Sequence, residues 1–87
     1  MNQPLPAQQP LIMPLACGTP QIGEECYIAP TANIIGNVKI GNKCTVWFNT
    51  TIRGDVMPIE IGDETNIQDN SVIHGTYKKS ATKIQTL

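Results

Sequence analysis

At 87 residues, with a formal net charge of -1 and only 15% charged side chains, the chain has room for one small domain and no general electrostatic drive toward nucleic acid or an anionic membrane surface. A domain this short buries a modest fraction of its surface, so assembly with further copies is expected. No basic start leads into a sustained apolar core, which argues against a signal peptide or a membrane span and makes the cytoplasm the expected compartment.

Residues 1–21 form a proline-rich arm with Pro4, Pro6, Pro10, Pro14 and Pro20. Prolines this frequent oppose a regular helix or a central strand, because each removes a backbone donor and fixes φ. The arm is expected to run extended along the folded body. The competing reading is a frayed tail.

From Ile22 the chain keeps a six-residue period. Branched aliphatic residues fall at Ile22, Ile28, Ile34, Ile40, Val46 and Ile52, and after three extra residues the series resumes at Ile61, Ile67 and Ile73. Two places before most anchors the side chain is compact: Cys26, Ala32, Val38, Cys44, Thr50, Thr65 and Ser71, with Ile59 the larger case. Glycines follow at Gly23, Gly41 and Gly62, or one residue later at Gly36 and Gly54, where backbone must turn tightly. This period is neither helical nor a simple strand alternation. It predicts an all-β fold, a left-handed parallel β-helix of about three coils over residues 22–84, in which each hexad supplies one short strand and one corner. Ile22, Ile40 and Ile61 then form one internal ladder, Ile28, Val46 and Ile67 a second, and Ile34, Ile52 and Ile73 a third, rungs stacking at about 4.8 Å. A small β-sandwich with an accidental hexad spacing is the competing fold.

Cys26 and Cys44 fall on consecutive circuits, close enough for a disulfide. The absence of a secretion signal favours packed thiols, and the three cysteines have no metal-binding spacing. Extra residues around Val56, Met57 and Pro58 predict a bulge. A second insertion, from about Thr76 to Lys83, precedes Ile84, the expected anchor of a fourth circuit, and residues 85–87 read as an aborted next coil or tail. The patch Lys78, Lys79 and Lys83 reads as solvated surface. An open coil end exposes a ladder edge, and the arm, the tail after Thr76 or a partner subunit could cover it.

The polar departures from the repeat cluster in two stretches. In Trp47-Phe48-Asn49-Thr50-Thr51-Ile52-Arg53-Gly54-Asp55, the two aromatics lie on or near the coil surface and are expected at an oligomer contact, with local packing under the arm as the other reading. Arg53 and Asp55 can pair within one subunit or bridge to a symmetry mate. In the second stretch, His74 follows Ile73 as Arg53 follows Ile52, so the two should be one rung apart, and Gln68 should lie above Trp47. Arg53, Asp55, Gln68, Asp69 and His74 therefore read as one surface constellation. A single histidine supports either a metal ligand or a hydrogen-bonded interfacial residue, and zinc needs at least three protein ligands.

The segments Ile28-Ala29-Pro30-Thr31-Ala32, Val46-Trp47-Phe48-Asn49, Ile52-Arg53-Gly54-Asp55, Asn66-Ile67-Gln68-Asp69 and Ser71-Val72-Ile73-His74 resemble the gamma-class carbonic anhydrase-like hexapeptide-repeat proteins. The resemblance implies trimers of left-handed β-helices with metal sites between subunits and an outer C-terminal helix. It casts Arg53 and Asp55 as the pair that links subunits, Gln68 as the residue that positions metal-bound water, Asp69 as its acidic neighbour and His74 as the first of three metal-binding histidines. The implied chemistry is carbon dioxide hydration by a metal that lowers the pKa of water.

Two further histidines of that pattern have no counterpart here, and Gln85 stands where a glycine is usual, so the chain reads as truncated, without the later coils and the outer helix. A homotrimer repeats the same absence. The expected function is a scaffold or oligomeric assembly protein without carbon dioxide hydration activity, whose catalytic residues are vestigial and which has no cofactor. The alternative is a carbonic anhydrase-like enzyme whose zinc, iron or cobalt site is completed by a partner or by non-standard ligands. A homotrimer is the expected assembly, with end-to-end association or mixing with a full-length relative as further possibilities.

Overall fold

Stiff β-branched side chains at every sixth position favour extended backbone and stack on their own kind. In the computed structural model these hexads close into a parallel β-helix. The structure describes residues 8–75 and, for the backbone, 82–84. The expectations for Lys78, Lys79, Gln85 and residues 85–87, and most of the second insertion, lie outside the described residues. Among the described residues nine strands follow in order: β1 (Leu11–Met13), β2 (Gln21–Ile22), β3 (Tyr27–Ile28), β4 (Asn33–Ile40), β5 (Thr45–Val46), β6 (Thr51–Ile61), β7 (Asn66–Ile67), β8 (Val72–His74) and β9 (Thr82–Ile84). All their pairings are parallel, and no helix occurs among the described residues.

The three ladders run in the register read from the repeat. Ile22 pairs with Ile40 and Ile40 with Ile61; Ile28 pairs with Val46 and Val46 with Ile67; Ile34 pairs with Ile52 and Ile52 with Ile73. Ile84 extends the first ladder by pairing with Ile61. The core consists of the ladder residues Ile34, Ile40, Val46, Ile52, Ile61 and Ile67, together with Ala32, Val38, Cys44 and Ile59 from the positions two before the anchors. Three of the ladder ends are less covered than the centre: Ile22 is 36% exposed, and Ile28 and Ile73 are only partly buried. A terminal rung has a neighbour on one side only.

The arm does more than lie alongside. β1 adds a rung beneath the third ladder, with Ile12 opposite Ile34. It then makes a tight turn in which the Leu15 and Gly18 backbones exchange hydrogen bonds of 2.9 and 3.0 Å. The bulge expected at Val56–Pro58 is present. Pairing passes from Gly36 opposite Gly54 to Val38 opposite Ile59, so Asp55, Val56, Met57 and Pro58 all face the single residue Asn37. At this corner Gly36 has φ +78°, and an added Cβ would lie 2.7 Å from the Gly54 carbonyl oxygen, too close for any side chain.

The other corners repeat one conformation. Glu25, Lys43 and Glu64 share φ of 56–58°, and Asn49 and Asn70 share 60–63°. One column is tied from rung to rung by side chains: the Glu24 N–H donates to Asn42 Oδ1 at 2.8 Å and the Asn42 N–H to Asp63 Oδ1 at 2.7 Å. All three cysteines are free thiols. Cys26 donates to the Gly41 carbonyl and Cys44 to the Gly62 carbonyl, each at 3.1 Å. Burial pushes the Cys44 thiol up from its ordinary value, which keeps it protonated and unreactive.

Candidate functional site on the lateral face

Strand alternation sends Ile52 and Ile73 inward and their successors outward. The β6–β8 register places Arg53 beside His74, and the outer column continues below through Ile35 to Met13. Past the Gly54 corner, Asp55 opens the bulge. Its Oδ1 accepts the Val56 N–H at 2.9 Å and lies 3.1 Å from His74 Nε2, while its Oδ2 is 3.7 Å from Arg53 Nη1. The Arg53 and His74 contacts are thus made within one subunit.

Partial desolvation pushes the Asp55 carboxyl up, but the backbone N–H groups of Asp55 and Val56 and the positive charges of Arg53 and His74 outweigh it and hold the group below its ordinary value of 3.8. A carboxylate oxygen only accepts, so against the ionised Asp55 the His74 Nε2 is the donor of the pair. The three side chains are 31–43% exposed, so solvent screens the ion pairs and their role is orientation rather than stability.

Gln68 and Asp69 lie around the corner, both exposed. Gln68 follows Ile67, whose carbonyl accepts the Trp47 N–H at 2.9 Å, so its place above Trp47 is as read from the repeat. The Gln68 carbonyl accepts the hydroxyls of Thr50 at 3.0 Å and Ser71 at 2.8 Å. Among the described residues, neither Gln68 nor Asp69 hydrogen-bonds or ion-pairs with Arg53, Asp55 or His74. The five-residue constellation therefore divides into a bonded triad and two separate polar groups.

On the adjoining face Trp47 is half-buried and Phe48 is 40% exposed. Trp47 packs between Tyr27, with ring centroids 5.3 Å apart, and Phe48, at 6.3 Å. Its indole N–H donates to Asn66 Oδ1 at 2.6 Å, an oxygen that also accepts the Thr45 hydroxyl. Tyr27 and Asn66 are members of this surface that the repeat could have revealed, since Tyr27, Thr45 and Asn66 each precede an anchor of the second ladder.

The donor set of a metal centre can be tested on these positions. Among the described residues no group of three histidine, cysteine, aspartate or glutamate side chains could hold a metal ion, and the one imidazole of the chain has its Nε2 on Asp55. These residues do not fit a three-ligand centre by themselves.

Comparison with known proteins agrees with the geometry. The family described as bacterial transferase hexapeptide (six repeats) matches residues 19–54. The chain is 50% identical over 64 residues to a carbonic anhydrase of Geobacillus kaustophilus, covering 74% of this chain and 35% of that protein. It is 44% identical over 65 residues to the mitochondrial gamma carbonic anhydrase 1 of Arabidopsis thaliana, covering 75% and 24%, and 43% identical over 61 residues to the protein YrdA of Escherichia coli, covering 70% and 33%. The chain thus spans between 24% and 35% of the length of these curated relatives. Hexad ladders that resume their register after the bulge, together with this degree of identity, place the chain among the gamma carbonic anhydrase-like hexapeptide-repeat proteins.

Proposed function

We propose that these 87 residues act as a gamma carbonic anhydrase-like scaffold or assembly protein, a homotrimer without carbon dioxide hydration activity of its own. The observation that carries this reading is the donor set: one histidine in the chain, its Nε2 engaged by Asp55. Cyclic symmetry multiplies that set without completing it. Trp47 and Phe48 form the lateral contact, since a half-buried aromatic row beside a polar edge suits an interface core. Arg53 and Asp55 sit at its rim, and Gln68 and Asp69 are vestiges of the enzyme's polar face. The free thiols suit the reducing cytoplasm.

A second reading is favoured by the 50% identity to a protein named carbonic anhydrase: a zinc, iron or cobalt site completed at His74 by ligands from a partner chain, such as a full-length relative.

Metal analysis, carbon dioxide hydration and light scattering on tag-free protein separate the two. The scaffold reading expects a trimeric mass, no stoichiometric metal and hydration at background. A persistent monomer near 9.5 kDa removes the trimer. Stoichiometric metal with hydration above background overturns the inactive scaffold in favour of the enzyme.

A further inference from the structure

The arm reaches the lateral face at one point. β1 runs beside Asn33, Ile34 and Ile35 and delivers the Leu15–Gly18 turn to the corner built from Gly36, Asn37 and Gly54. The fit there is close: a Cβ at Gly18 would lie 2.9 Å from Asn37 Cβ, and one at Gly54 would lie 2.2 Å from the Asn37 carbonyl oxygen. Within the turn, the Cys17 thiol lies 3.3 Å from the Gly54 carbonyl oxygen and 3.8 Å from that of Asp55. Those two carbonyls flank the residue whose carboxylate meets His74 and the Val56 N–H.

We propose that the Leu15–Gly18 turn is a positioning element for the Arg53–Asp55–His74 triad, with the Cys17 thiol orienting the Gly54–Asp55 backbone from which Asp55 reaches His74. Three observations converge on this. The Asp55 side chain is held by its own short bulge rather than by a continuous ladder, because pairing jumps from Gly54 to Ile59. A segment released from the ladder takes its orientation from whatever else binds its backbone, and the turn supplies that contact. The turn is itself anchored, by its reciprocal Leu15–Gly18 hydrogen bonds and by the pairing of Met13 with Ile35. Cys17 therefore acts through Asp55 and touches no imidazole.

The importance of the coupling rests on the proposed function of the face, whereas its existence is read independently of metal or activity. In isotope-labelled full chain, the Val56 amide proton reports its bond to Asp55 and the His74 ring carbons report the imidazole contact. Cys17→Ala is expected to move the Val56 amide proton upfield and to displace the His74 ring signals, while methyl signals of Ile40, Val46 and Ile61 stay in place. Cys17→Ser, which keeps a donor at that point, is expected to return most of the displacement. Val56 and His74 signals unchanged in Cys17→Ala would overturn the proposal, as would equal displacement in the alanine and serine variants.

Discussion

Ile52→Ala against Ile22→Ala tests the coil as a stack of unequal rungs. Ile52 is fully buried between Ile34 and Ile73 in the third ladder. The substitution removes three carbons, about 2.4 kcal/mol of transfer free energy at ~0.8 kcal/mol per buried carbon. The void between two fixed rungs adds about 1 kcal/mol or more, because backbone hydrogen bonds on both sides resist collapse. The total, roughly 3–4 kcal/mol, is a large share of the ~5–10 kcal/mol available to a domain of this size. Ile22, at the end of its ladder and 36% exposed, has a neighbour on one side and should cost about 1 kcal/mol. Urea unfolding followed by circular dichroism and Trp47 fluorescence, at one protein concentration, gives both values by linear extrapolation. Equal losses at the two positions would refute the argument that central rungs carry the stability.

Ile67→Asp places an unpartnered charge within the second ladder and should abolish native β-structure; retained circular dichroism and oligomer size would show the register to be wrong. The Asp55 carboxyl should titrate below 3.8 by NMR, with Arg53→Ala and His74→Gln each raising the midpoint. Because its folded value is depressed, the native chain binds fewer protons than the unfolded one as pH falls below the ordinary value. Its contribution is thus present above that value and lost as pH drops through the folded midpoint. Lys43, at φ 57°, pays a left-handed penalty of about 1 kcal/mol or more that glycine escapes. Thermal melts should find Lys43→Gly more stable than wild type and Lys43→Val less stable. Trp47→Ala should shift light-scattering mass toward smaller species, and an unchanged trimer would remove Trp47 from the interface.

Much of this molecule could be read before any fold was in hand. The hexad repeat carries its own register, so pairing Ile34 with Ile52 or Arg53 with His74 needed only the arithmetic of the period, and three surplus residues before Ile59 announced the bulge. That works because a β-helix stacks each residue on its equivalent one circuit away. Tertiary structure decided what the period does not encode. Ile12 lies 22 residues before Ile34, outside the hexad count, so its rung became visible only through backbone pairing. Cys17 lies between that rung and Ile22, in a turn with no repeat to index it, and its approach to Gly54 follows from steric fit at a corner where Gly36 and Gly54 carry no side chains. The triad was separated from Gln68 and Asp69 for a related reason: register assigns each residue a column, but which columns touch depends on the corner between faces and on the bulge that turns Asp55 toward His74.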